Sequence, residues 1–127
     1  MKITGFNPII ASNKAEEIVK LFEALDFSKT HAPVVSSDTG TAVVTRMKHP
    51  DGYHVDVLAL DRVIPQDLTG IRINVDNFDE AYQLLTTRGF AIAPGDNIVD
   101  LGFAKTVILV SPSGCIISLM QHIKEHD

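Results

Sequence analysis

Apolar residues along this chain first alternate with polar ones, then fall at helical spacing, then alternate again, and the whole succession occurs twice. The run Thr4-Gly5-Phe6-Asn7-Pro8-Ile9-Ile10-Ala11 reads as a strand ending in the polar pair Ser12-Asn13. From about Lys14 to Leu25 the residues Ile18, Leu21, Phe22 and Leu25 fall at helical spacing, with Ser12 or Asn13 as the N-cap. Thr69-Gly70-Ile71-Arg72-Ile73-Asn74-Val75 opens the second succession. A helix follows from Phe78 to about Arg88, with Phe78, Ala81, Leu84 and Leu85 on its stripe and Asp76 or Asn77 as its cap.

Both helices end alike, in Leu25-Asp26-Phe27 and Arg88-Gly89-Phe90, and Gly89 suits a left-handed C-terminal position. A third match is the turn pair His49-Pro50-Asp51-Gly52 and Ser111-Pro112-Ser113-Gly114. In each, proline pre-sets the turn and glycine closes it between antiparallel strands. Strands are predicted on both sides of these turns, at Thr41 to Lys48, Tyr53 to Leu58, Thr106 to Val110 and Cys115 to Met120. Shorter runs at Ser28 to Val35 and Ala91 to Val99 complete a β-α-β-β-β order in each half. The fold class is therefore α+β, two tandem βαβββ modules in one domain over residues 1–127. Module one covers 1–60, a linker 61–67, module two 68–123 and a tail 124–127.

Alternation assigns faces. Ile71, Ile73 and Val75 belong against the second helix, leaving Gly70, Arg72 and Asn74 on the other side. Phe6, Pro8 and Ile10 are assigned to the first helix, with Gly5, Asn7 and Ile9 opposite. Val55 and Val57 turn inward while His54, Asp56 and Leu58 face away, and Ile116, Ser118 and Met120 take the equivalent side of the last strand. The face away from the helices is thus apolar with a few polar groups, the make-up of a small-molecule site. Ligand-binding candidates on it are Arg72, Asp56, His54, Asn7, Asn74 and Ser118. Arg46 reaches it from the preceding strand if the register allows, and Tyr53 stands at its rim.

Composition narrows the choice of partner. The 127 residues carry 11 Lys plus Arg against 16 Asp plus Glu, a net charge of -5, without a basic cluster. Nucleic acid and anionic membrane are therefore not expected as partners. The single cysteine, Cys115, is expected to be a buried small hydrophobe. No run is long and apolar enough for a membrane span or a signal peptide, so a cytoplasmic location is the expectation. His122 and His126, four apart near the C-terminus, are expected to belong to a frayed end.

The paired openings Thr4 to Leu25 and Thr69 to Gly89, with the two Pro-x-Gly turns, resemble the vicinal oxygen chelate superfamily. That group contains glyoxalase I, extradiol dioxygenases and fosfomycin- and bleomycin-resistance proteins. The resemblance implies that the curved mixed sheets of the two modules form a U-shaped cavity, commonly in a homodimer. It also implies a divalent metal held at matched strand positions, which fall here on Gly5, Asp56, Gly70 and Ser118. Of these only Asp56 is a good ligand, so no metal and no other cofactor is expected.

What the resemblance leaves is a metal-independent protein that sequesters a polar or aromatic organic ligand in a concave pocket. Arg72 would clamp an anionic group on the ligand, or else form an internal ion pair with Asp56 or another acid. His54 and Asp56, two apart on one face, offer the alternative of an acid–base or metal-dependent lyase, isomerase or dioxygenase-like enzyme with a non-standard site. No catalytic residue is assigned. A third possibility is a purely structural or partner-binding role.

Overall fold

The structure is a computed structural model that describes residues 1–32, 34–37 and 40–122. In chain order its elements are β1 (Ile3–Ser12), α1 (Ala15–Ala24), β2 (Ser28–His31), β3 (Val34–Ser37), β4 (Gly40–Lys48), β5 (His54–Leu60), β6 (Leu68–Val75), α2 (Phe78–Thr87), β7 (Ala91–Ile92), β8 (Val99–Asp100), β9 (Ala104–Val110) and β10 (Ile116–His122). The class is α+β, as the two-fold succession predicts. Each expected short strand after a helix is split in two, Ser28 to Val35 into β2 and β3 and Ala91 to Val99 into β7 and β8. In the second case a turn with Gly95 at φ 80° interrupts the run.

The chain divides into two compact units, residues 7–69 and residues 1–6 with those from Gly70 onward. In the first unit the strand order is β2-β4-β5-β1, with β3 also on β4. β1 and β5 are parallel, with Ile9 opposite Asp56, and β4 and β5 are antiparallel, with Arg46 opposite Asp56. Ala15 and Val19 of α1 pack on Met47, Val55 and Val57, and Ile10, Ile18, Phe22 and Phe27 close around them. Leu21 and Leu25 are instead half exposed, at 53% and 52%. The buried stripe thus runs through Ala15 and Val19, one step round the helix from the expected one. Phe6 and Pro8 are exposed as well, so only Ile10 of their set reaches the helix layer.

In the second unit β6, β10, β9 and β7 follow the N-terminal residues of β1, and β8 pairs with β9. Val75, Phe78, Ala81, Val107, Leu109 and Leu119 form its core, with Ile73, Tyr82 and Leu85 packed against them. Ile73 and Val75 do face α2 as alternation requires, whereas Leu84 is exposed. Cys115 is exposed too, because it still belongs to the turn after Gly114 and β10 begins one residue later. His122 is the last residue of β10, and His126 lies outside the described residues. Among the described residues no helix is long and apolar enough to cross a membrane.

The duplication persists down to backbone hydrogen bonds. After α2, Gly89 takes φ 91° and Phe90 N–H donates to Leu85 O at 3.2 Å. After α1 the matched Asp26 takes φ 73° and Phe27 N–H donates to Phe22 O at 2.9 Å. Gly52 and Gly114 close the two turns at φ 96° and 98°, each donating to the residue three before it. The helix starts differ. Asn77 caps α2 by accepting from Glu80 N–H at 3.1 Å, but α1 has no side-chain cap. Ser12 and Asn13 fasten the linker instead. Ser12 Oγ donates to Asp67 Oδ1 at 2.7 Å, and Asn13 Oδ1 accepts from Ile64 N–H at 2.7 Å.

A left-handed conformation is strained for any side chain, less so for Asp than for most. Asp26→Gly should therefore stabilise the protein by about 0.5 kcal/mol in urea unfolding. Asn77→Ala should cost about 1 kcal/mol through loss of its cap. A stabilising Asn77→Ala or a clearly destabilising Asp26→Gly would contradict these two helix-end assignments.

Candidate functional site

In the first unit the expected polar face forms around Asp56. Because β5 alternates, Val55 and Val57 go to the α1 core and Asp56 to the opposite side, where it is only 2% exposed. The register of β4 places Arg46 directly across from it, and Arg46 Nη1 lies 3.0 Å from Asp56 Oδ2. From β1, the buried Asn7 adds a side-chain hydrogen bond to the carboxyl. Burial holds the Asp56 carboxyl above its ordinary value. Arg46, the Asn7 hydrogen bond and the nearby His54 each pull it back, but by less in sum. His54, two residues earlier on the same face, is exposed and stands opposite Lys48.

Tyr53 is not brought to this face. It is 65% exposed and its ring lies 5.6 Å from that of His49, which in turn meets Phe27 at 5.3 Å. It belongs to an aromatic row at the turn.

The second unit brings its own candidates together. Arg72 and Ser118 are register neighbours across parallel β6 and β10, and Asn74 stands opposite Met120. Asn74 is buried, and its Oδ1 has no hydrogen-bond partner among the described residues. Such an atom costs about 1–3 kcal/mol unless a donor meets it.

The metal implied by the resemblance can be tested position by position. A Cβ on Gly70 would lie 2.8 Å from the Ile116 carbonyl oxygen and 3.0 Å from Ile116 Cβ, so the backbone of β10 occupies the place of a side chain. A Cβ on Gly5 would lie 3.2 Å from Asn74 Nδ2. Ser118 offers only a neutral hydroxyl, and Asp56 is already committed to Arg46. Among the described residues no three His, Cys, Asp or Glu side chains converge. This donor set does not fit a divalent ion.

Comparison with solved structures shows what this arrangement is built on. Glyoxalase I from Zea mays superposes with a TM-score of 0.67 at 14% identity, over 98% of this chain and 45% of that one. The chain thus spans about half the length of the maize enzyme. A glyoxalase/bleomycin resistance protein/dioxygenase superfamily member from Vibrio splendidus gives 0.61 at 13% identity, covering 96% of this chain and 100% of that one. The chain has the vicinal oxygen chelate fold. Methylmalonyl-CoA epimerase from Mycobacterium tuberculosis shares the fold, with a TM-score of 0.70 at 11% identity over 96% and 90% of the two chains. No protein-family model and no curated protein matches the sequence.

Sequence alternation alone turns Asp56, His54 and Asn7 of the first half, and Arg72, Asn74 and Ser118 of the second, to the strand side away from the helices. The tie between Arg46 and Asp56 depends on the β4–β5 register, which sequence leaves open by one residue. Sequence reasoning misses Gly70 as a packing residue, because the only sign of it is the identity of what lies opposite.

The pH dependence follows from Asp56. Its proton is held more tightly in the folded chain than in the unfolded one. The group therefore adds stability near and below pH 4, and that addition is lost as pH rises through its raised folded value. In urea unfolding the parent should lose stability relative to Asp56→Asn between pH 4 and pH 7. A difference that stays flat or grows would contradict burial as the dominant cause. Arg46→Met, which strands the carboxylate, should cost about 3–5 kcal/mol at pH 7 and less as the pH is lowered and the carboxyl takes up its proton.

Proposed function

We propose that this protein binds a small polar organic molecule without using a metal ion, and holds it rather than transforms it. The observation that carries this reading is the content of the four positions where the resemblance expects metal ligands. Two are glycines packed against Ile116 and Asn74, one is a serine, and the fourth is an aspartate engaged by Arg46. The polar groups that do line the sheet suit recognition. Arg46 presents a fixed guanidinium, Asn7 an amide and His54 an imidazole, and the apolar Ile9 stands opposite Asp56. The fold shared with a glyoxalase/bleomycin resistance protein/dioxygenase superfamily member accommodates binding as well as catalysis, so the reading rests on the side chains.

The test is a calorimetric screen of aromatic and polar metabolites and antibiotics against protein dialysed with chelator. Saturable binding that Arg46→Lys weakens about ten-fold, through loss of the planar fork, is the expected result. Binding that appears only after a divalent ion is added, or no binding at all, would overturn the reading.

Acid–base catalysis at Asp56 is a second reading, and the raised pKa of that buried carboxyl favours it. Such a group keeps its proton to a higher pH than a surface aspartate and can deliver it to a bound substrate. Under this reading a substrate screen run in parallel yields product with the parent and none with Asp56→Asn. Equal turnover by the two would exclude Asp56 as the acid.

A further inference from the structure

One rung of the first unit's sheet lies beyond the Asp56 cluster and carries a different charge balance. Across β2, β4 and β5 the directly opposed residues are Ser28, Lys48 and His54. The next rung on the same face is His31, Arg46, Asp56 and Ile9, in which the one arginine is matched by the one acid. The Ser28–Lys48–His54 rung contains no acid at all, in a chain whose net charge is -5. All three of its side chains are exposed, and Lys48 forms no ion pair among the described residues. The one acid in the adjoining turn, Asp51, sits 3.7 Å from His49.

Two cation-forming side chains set directly opposite each other work against the sheet whenever both are charged, unless an anion joins them. The same rung opens into a depression of about 330 Å³, lined by Ser28, Thr30, Lys48, His49 and Pro50. Thr30 sits where the β2–β4 register shifts, between Lys29 and His31, so its side chain is placed by an irregularity rather than by regular pairing. Its Oγ1 donates its one hydrogen to the Arg46 carbonyl at 3.1 Å and lies 3.4 Å from His31 Nδ1, so Thr30 shapes the depression without a donor to spare, whereas Ser28 Oγ has no partner among the described residues. The depression thus holds one ammonium and two hydroxyls, with an imidazole across the strand pair and the turn residues His49 and Pro50 closing one end. Its volume lies at the lower end of what small-ligand sites occupy.

The geometry points to an anion-binding site at this rung, taking the carboxylate or phosphate of a small organic ligand on Lys48, with the Ser28 hydroxyl and a His54 ring N–H as hydrogen-bond donors. The inference rests on the reading of the protein as a small-molecule binder and names the class of molecule, one with an anionic head. The body of that ligand would extend along the adjoining rung toward Arg46 and Asn7.

The experiment titrates the full chain with inorganic phosphate, phenyl phosphate and benzoate, following backbone amide resonances. Saturable shifts concentrated at Ser28, Thr30, Lys48 and His54 are expected. Lys48→Gln should weaken binding at least ten-fold and Ser28→Ala about three-fold. Lys20→Gln, which alters an exposed lysine of α1 beside Glu16, should leave it unchanged. The phosphate and benzoate arms separate a phosphate ester from a carboxylate as the preferred head. Shifts of equal size around Lys20 and Lys48, or binding unaffected by Lys48→Gln, would overturn the site. If these anions fail while uncharged aromatic compounds still bind the parent, this inference falls and the binding function stands. If neither class binds, both fall.

Discussion

A carboxylate moved from water into a sheet must meet a counter-charge and hydrogen-bond donors, or give up its charge. Asp56 is held by all of these at once. Burial drives its proton affinity up, while Arg46 at 3.0 Å and the Asn7 amide restrain the rise. The pair exists because antiparallel β4 and β5 bring residues 46 and 56 into the same register, and because parallel β1 brings Ile9 alongside and Asn7 within reach. The strand order of the unit is thus read out in one electrostatic contact. An aspartate occupied in this way is a poor ligand for anything else, since releasing it would leave a half-buried arginine uncompensated.

The two halves of the chain keep the same backbone solutions while their side chains have diverged. Phe27 and Phe90 close their helices with equivalent bonds, one after an aspartate and the other after a glycine. The turns at Gly52 and Gly114 agree to within a few degrees of φ. Where chemistry would be placed, the halves part. Gly70 lets β10 approach β6 closely, Gly5 admits the Asn74 side chain, and only the first half retains an acid on its closing strand. At Gly70 and Gly5 the space of a side chain is filled by Ile116 and Asn74.

Much of this was legible in the sequence, for a physical reason: both periodicities, 2 and 3.6, are written in side-chain type. Val55 and Val57 against Asp56, or Ile73 and Val75 against Asn74, sort themselves by polarity alone. Leu21 and Leu25 misled because several apolar stripes can be drawn on a ten-residue helix, and small Ala15 and Val19 fit closer to the sheet. Ser12 and Asn13 look like caps, but Asp67 and the backbone at Arg62 and Ile64, some fifty residues away, compete for them and win. Cys115 lies one residue short of its strand, a boundary error that reverses burial. The Arg46–Asp56 tie and the rung of Lys48 and His54 needed the cross-strand register, which no local pattern encodes.

The central claim is that Asp56 serves Arg46 and not a metal ion. Electron paramagnetic resonance of Mn²⁺ titrated into chelator-treated protein tests this most directly, because bound manganese loses the sharp six-line signal of the free ion. The account predicts that the free signal grows in proportion to added manganese, with and without protein. A stoichiometric loss of that signal that Asp56→Asn abolishes would contradict it.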